Sequence, residues 1–143
     1  MATLQLKVLP YRYAVCQLAA DAPLPVWAFP PDGGFASVSR TDDELSVICR
    51  QDNVPERVRA ERGWRCFKVE GPLVFDAVGI MAGLTGALAA ASVPVFAVST
   101  YDTDYILVKD ERLAAAVEAL RHRGYRVAAS PEQAPTAGSG DDK

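Results

Sequence analysis

The chain has 143 residues, 50% of them hydrophobic and 23% charged, a composition that fits one ordinary globular domain or two very small ones and excludes wholesale disorder. Fifteen basic and 18 acidic residues give a formal net charge of −3, so no basic surplus is present to displace counterions from a phosphate backbone, and nucleic acid is not an expected partner. Cys16, Cys49 and Cys66 form no C-x-x-C pair, which argues against a disulfide framework or a zinc knuckle and points to a reducing cytoplasm.

The opening residues alternate polar and apolar side chains without a basic n-region or an apolar h-region, so no secretion signal is predicted. Strands are expected at 4–9 and 13–18, followed by a proline-rich corner at 21–31 and strands at 35–40 and 45–50. A charge-rich run at 51–63, broken by Pro55, marks a junction. Beyond it, residues 64–69 read as a strand ended by Gly71-Pro72. A helix follows, with Met81, Leu84, Leu88 and Ala91 on one stripe and Asp76 as its expected N-cap. Residues 93–100 and 105–109 read as strands joined by a hairpin loop at 101–103.

The next helix carries the sharpest signal. Asp110 can cap it, Leu113, Val117 and Leu120 make an apolar stripe, Arg121, His122 and Arg123 suit its negative end, and Gly124 ends it. A strand at 125–129 completes β-α-β-β-α-β, the ferredoxin-like order, with one antiparallel sheet over 64–129 and both helices on one face. Residues 130–143 hold no large apolar side chain and read as a disordered tail. The run 77–101 lacks charge, but Ser92, Pro94 and a β-branched second half argue against a membrane span.

The first half contains a faint copy of the second. Phe35-Ala-Ser-Val-Ser39 and Asp42 through Ile48 line up, with one residue skipped, against Phe96-Ala-Val-Ser99 and Asp102 through Val108, sharing Phe, Ala, Val, Ser and Asp. Two degenerate copies of one small unit are therefore expected.

Catalysis has few carriers. The single histidine, His122, sits in a last helical turn, where a dipole-facing role is the common one, and the three cysteines lie in apolar strand patterns. No catalytic residue, metal site or cofactor is predicted; the acidic runs at 42–44 and 102–104 suit turns and lack the spacing of a calcium loop. The segment 70–80 joins a strand to a helix N-terminus, whose unpaired amides favour a carboxylate, and the neighbouring strand end, Ser99 to Asp102, offers hydroxyls and a carboxylate to an ammonium group. Together they could hold an amino-acid zwitterion; the plainer reading makes Asp76 a cap and Gly79 a packing site.

The runs Gly63-Trp-Arg-Cys-Phe-Lys-Val-Glu-Gly71, Phe75 to Ile80 and above all Phe96 to Val108, with Arg40 to Cys49 in the first half, resemble a small bacterial family of ACT-domain proteins related to the eukaryotic CASTOR-type arginine sensors. The resemblance spans residues 3 to 128. It implies an α+β protein of two ACT-like (ferredoxin-like, βαββαβ) units with antiparallel sheets: a degenerate unit at 1–62, whose first helix is replaced by the proline-rich corner, an ACT domain at 63–129, and the tail. It also implies a non-catalytic regulatory protein that binds a free amino acid through Asp76, Ala77, Val78, Gly79 and Ile80 on the strand–helix loop and Ser99, Thr100, Asp102 and Asp104 on the hairpin, with Asp102 or Asp104 meeting the positive group. A homodimer and a regulated protein in another chain are the implied partners. The competing expectation is a ligand-free interaction or dimerisation subunit.

Overall fold

The computed structural model describes residues 4–70 and 78–129. The expected tail at 130–143, and Asp76 and Ala77 of the expected site, lie outside them. The described residues divide into two compact units: Tyr11–Trp64 forms one, and the stretches up to Pro10 and from Arg65 onward form the other.

In the Tyr11–Trp64 unit, β1 (Gln5–Leu18) contributes Tyr13–Leu18, which pair antiparallel with β3 (Leu45–Arg50); β2 (Ser37–Arg40) pairs antiparallel with β3 in turn. The first residues of β4 (Arg59–Val69) lie on the other side of β1. Alternate residues of the paired strands, Ala14, Cys16, Leu45, Val47 and Cys49, share one buried cluster with Ala28 and Val54. The proline-rich corner supplies no α-helix, only a 3₁₀ turn at Val26–Ala28. Arg40 holds that corner through hydrogen bonds to the carbonyls of Ala20 and Ala22. Arg50 pairs with Asp32 at 3.1 Å and stacks 4.3 Å over the Tyr11 ring.

The second unit has the strand order β7–β1–β4–β6–β5, with β5 (Phe96–Ser99) paired antiparallel to β6 (Asp104–Lys109) and β7 (Arg126–Ala129) at the far edge. Helices α1 (Ile80–Ala90) and α2 (Leu113–His122) pack on one face. Leu84, Ala87 and Leu88 of α1 and Ala116 and Leu120 of α2 share a core with Leu6, Val8, Phe67, Val69, Ile106, Val108 and Val127. The alternation of those strand residues is what gives the sheet its apolar face.

Several expectations need correction. The strands expected at 4–9 and 13–18 are one strand. Pro10 does not break it because the ladder to β7 ends at Val8 and the ladder to β3 begins at Tyr13, so the missing N–H interrupts neither. The sheet is not confined to 64–129: Gln5–Val8 of β1 joins it beside β4, and β7 pairs parallel with that added strand. Asp76 is not the N-cap of α1; Gly79 is, at φ 86°, a left-handed conformation that suits glycine. The expected junction ends early, since β4 already begins at Arg59 and only a 3₁₀ turn at Gln51–Asn53 and the following loop separate it from β3.

α2 behaves as expected at its core. Leu120 is fully buried, Leu113 and Val117 pack partly buried against the same cluster, and Gly124, at φ 94°, ends the helix. Asp110 does not cap it: a 3₁₀ turn at Asp110–Arg112 precedes the helix, and Arg112 holds the N-cap position with no side-chain hydrogen bond. Asp110 ion-pairs at 3.5 Å with Arg65, which is buried and also donates to the Leu9 carbonyl.

Candidate functional site

The two hairpins are built alike. In the β2–β3 hairpin Arg40 pairs with Leu45 and Thr41 N donates to Glu44 O; in the β5–β6 hairpin Ser99 pairs with Asp104 and Thr100 N donates to Thr103 O. In both, the first-position threonine also accepts, through Oγ1, the N–H of the fourth turn residue. The internal repeat is therefore present, one residue out of the sequence alignment: turn geometry superposes Thr41 on Thr100 and Asp43 on Asp102, because register follows the turn closure.

Within the β5–β6 hairpin, Ser99 Oγ donates to Asp104 Oδ1 at 2.7 Å, which orients a carboxylate that keeps further acceptor capacity. Thr100 Oγ1 donates to Thr103 O at 3.1 Å, so Thr100 is occupied in holding the turn. Asp102 is exposed at the tip beside Tyr101, itself 84% exposed. Tyr105 is half-buried within electrostatic reach of Cys66, Asp102 and Glu70. Its burial first, then those neighbours, raise the phenol above its ordinary range, so at neutral pH it is an uncharged donor.

At the start of α1, Val78 is exposed, Gly79 turns the chain, and Ile80 packs against the core. The first helical bond there is from Gly83 N to Gly79 O at 2.9 Å, so the amides of Ile80, Met81 and Ala82 have no partner within the helix and point their dipoles outward. The structure thus brings together Ser99 with Asp104 and Thr100 with Thr103. Among the described residues, no hydrogen bond joins Val78, Gly79 or Ile80 to the hairpin.

Sequence reasoning missed Thr103, which is 5% exposed and donates through Oγ1 to Val69 O at 2.6 Å, on the last residue of β4. A hydroxyl in a turn gives no sequence signal of burial; only the register reveals it. Among the described residues no three His, Cys, Asp or Glu side chains gather to hold a metal, and no helix is long and apolar enough to cross a membrane. Cys16 and Cys49 hydrogen-bond across β1 and β3, which holds the Cys16 thiol below its ordinary range and pushes the Cys49 thiol above it, while burial raises Cys66. All three are buried. No nucleophile with its base is assembled by them.

A family model described as ACT domain matches residues 59–122, and a separate N-terminal-domain model matches residues 11–57. The mouse and rat proteins named cytosolic arginine sensor for mTORC1 subunit 1 are 30% identical over 129 residues, 86% of this chain. A crystal structure of an Agrobacterium tumefaciens protein superposes with a TM-score of 0.86 at 36% identity, covering 94% of this chain and 98% of that one. The chain belongs to the ACT-domain family.

The match takes in only 38% of the rodent sensors, so the ACT-domain chain spans less than half the length of those relatives. The regulatory subunit of aspartate kinase from Thermus thermophilus shares the fold alone, at 10% identity and a TM-score of 0.61, over 86% of this chain and 99% of that one. The ferredoxin-like fold of that family is carried by the unit built on β4, α1, β5, β6, α2 and β7.

Proposed function

We propose that this ACT-domain protein is a non-catalytic regulatory module that binds a free amino acid. In this reading the amides at the start of α1, which have no partner within the helix, receive the carboxylate, and Asp102 or Asp104, on the β5–β6 hairpin, receives the ammonium group. The observation that carries it is the hairpin itself, where Ser99 Oγ donates to Asp104 Oδ1 at 2.7 Å and so orients a carboxylate in an ACT domain. Asp76 and Ala77 belong to the proposed site as the approach to α1. Because the rodent relatives are named as arginine sensors, arginine heads the amino acids to be tried. Action in the cytoplasm, assembly as a homodimer and control of a partner in another chain complete the proposal.

A thermal-shift screen of the standard amino acids at millimolar concentration tests it, because a ligand that binds the native state raises the melting temperature by mass action. A second reading, a ligand-free interaction subunit, is favoured by one feature: Leu24, Val26 and Phe29 of the proline-rich corner are 57%, 88% and 51% exposed. That reading predicts no response to any free amino acid.

A further inference from the structure

We propose that Thr103 is a positioning residue for the amino-acid site, its hydroxyl fixing the β5–β6 turn against the end of β4. The inference rests on the function proposed above.

Thr103 and Arg65 are the buried polar side chains among the described residues. The bonds of the turn converge on Thr103: its carbonyl accepts from Thr100 N at 2.8 Å and from Thr100 Oγ1 at 3.1 Å, and its N–H donates to Thr100 Oγ1 at 3.3 Å. Its own hydroxyl reaches out of the turn to Val69 O at 2.6 Å. On the other side of β4, Glu70 N donates to Gln5 O at 2.8 Å. The last residues of β4, from which the chain departs toward α1, are thus held from both sides, and one of the two ties is the turn that carries Thr100 and Asp102. A zwitterion gripped at both ends needs those ends held to within a fraction of an ångström.

The chain contains its own control. Glu44 occupies the equivalent position in the β2–β3 turn, closes it with the same main-chain bond from Thr41, and is only partly buried, its carboxylate accepting from Gln17 Nε2 at 3.2 Å. Turn closure therefore does not require a buried hydroxyl. Packing does not require it either, since valine has nearly the same shape. What the hydroxyl adds at position 103 is the tie to the β4 carbonyl, a short bond shielded from water.

The test compares Thr103→Val, Thr103→Ala and Thr103→Ser with the parent, using whichever of the twenty standard amino acids gives the largest thermal shift as the calorimetric probe, well below every variant's melting temperature. Loss of the hydroxyl should weaken binding about tenfold in Thr103→Val and Thr103→Ala, and Thr103→Ser should bind within about twofold of the parent, since it keeps the donor. A purely structural threonine would lower the melting temperature without moving the dissociation constant of the folded protein. Unchanged affinity in Thr103→Val, or equal weakening in Thr103→Ser, overturns the positioning role while leaving the proposed function intact. If neither Thr103→Val nor Thr103→Ala folds, the hydroxyl serves the fold and the role is overturned as well. A parent protein that answers none of the twenty overturns the function and this role together.

Discussion

Truncating Leu120 to alanine probes the packing that holds α2 on the sheet. The side chain is fully buried, in one cluster with Phe67, Leu84, Leu88 and Val127. Removing three buried carbon groups costs about 2.4 kcal/mol at roughly 0.8 kcal/mol each. A residual cavity of about 40 Å³ adds about 1 kcal/mol. The expected loss of about 3.5 kcal/mol should appear in urea unfolding as a lower midpoint at unchanged slope, and in calorimetry as a melting temperature lower by about 10 °C. The Leu120 carbonyl also accepts from Arg123 N and Tyr125 N at the helix end, and alanine leaves both bonds in place, so the effect reports the side chain. Glu118→Ala, at an exposed position on the same helix, should change stability by less than about 0.5 kcal/mol. A loss below about 0.5 kcal/mol for Leu120→Ala would refute the packing of α2.

Gly83→Ala and Gly79→Ala should both destabilise, for different reasons. A Cβ on Gly83 would sit 2.6 Å from Tyr125 Oη, so Tyr125→Phe should rescue it, whereas Gly79 has open space but a φ of +86°, costing about 1–2 kcal/mol that no neighbour can relieve. Equal rescue of both by Tyr125→Phe would contradict this. Stability should fall in alkali, because Cys49, Cys66 and Tyr105 all hold their protons more tightly folded than unfolded. Their contribution is fully present below about pH 9 and is lost as pH rises; Cys16, shifted downward, works in the opposite sense and offsets part of it. Urea midpoints at about pH 8 and about pH 11 should show that decline, and Cys66→Ala should make it shallower; an unchanged slope in that variant would assign the loss elsewhere.

Much of this fold could be read from the sequence where periodicity was strong. The stripe on α2 and the strand Leu45–Arg50 follow local rules of spacing, and turn residues mark the hairpin, though the expected loop at 101–103 is one residue shorter than the closure at 100–103. What escaped was set by partners distant in sequence. Proline at position 10 reads as a break until the gap between its two ladders is known, and β7 joins β1 in parallel because the start of β1 lies next to β4. The N-cap fell on Gly79 because a left-handed glycine can start a helix without any side-chain hydrogen bond. At the site, hydroxyls and carboxylates marked the hairpin, yet composition could not separate Asp104, oriented by Ser99, from Asp102, exposed at the tip, or show that Thr103 turns inward.

Whether this hairpin serves an amino-acid site is decided by calorimetric titration of the parent protein, Asp102→Asn and Asp104→Asn with the amino acid that responds in the thermal screen, arginine first. Saturable binding by the parent is expected, with a loss of roughly 1.5–3 kcal/mol in whichever variant loses the ammonium partner and folding retained. Binding that is unchanged in both variants, or no heat from any of the twenty amino acids, would contradict that role of the hairpin.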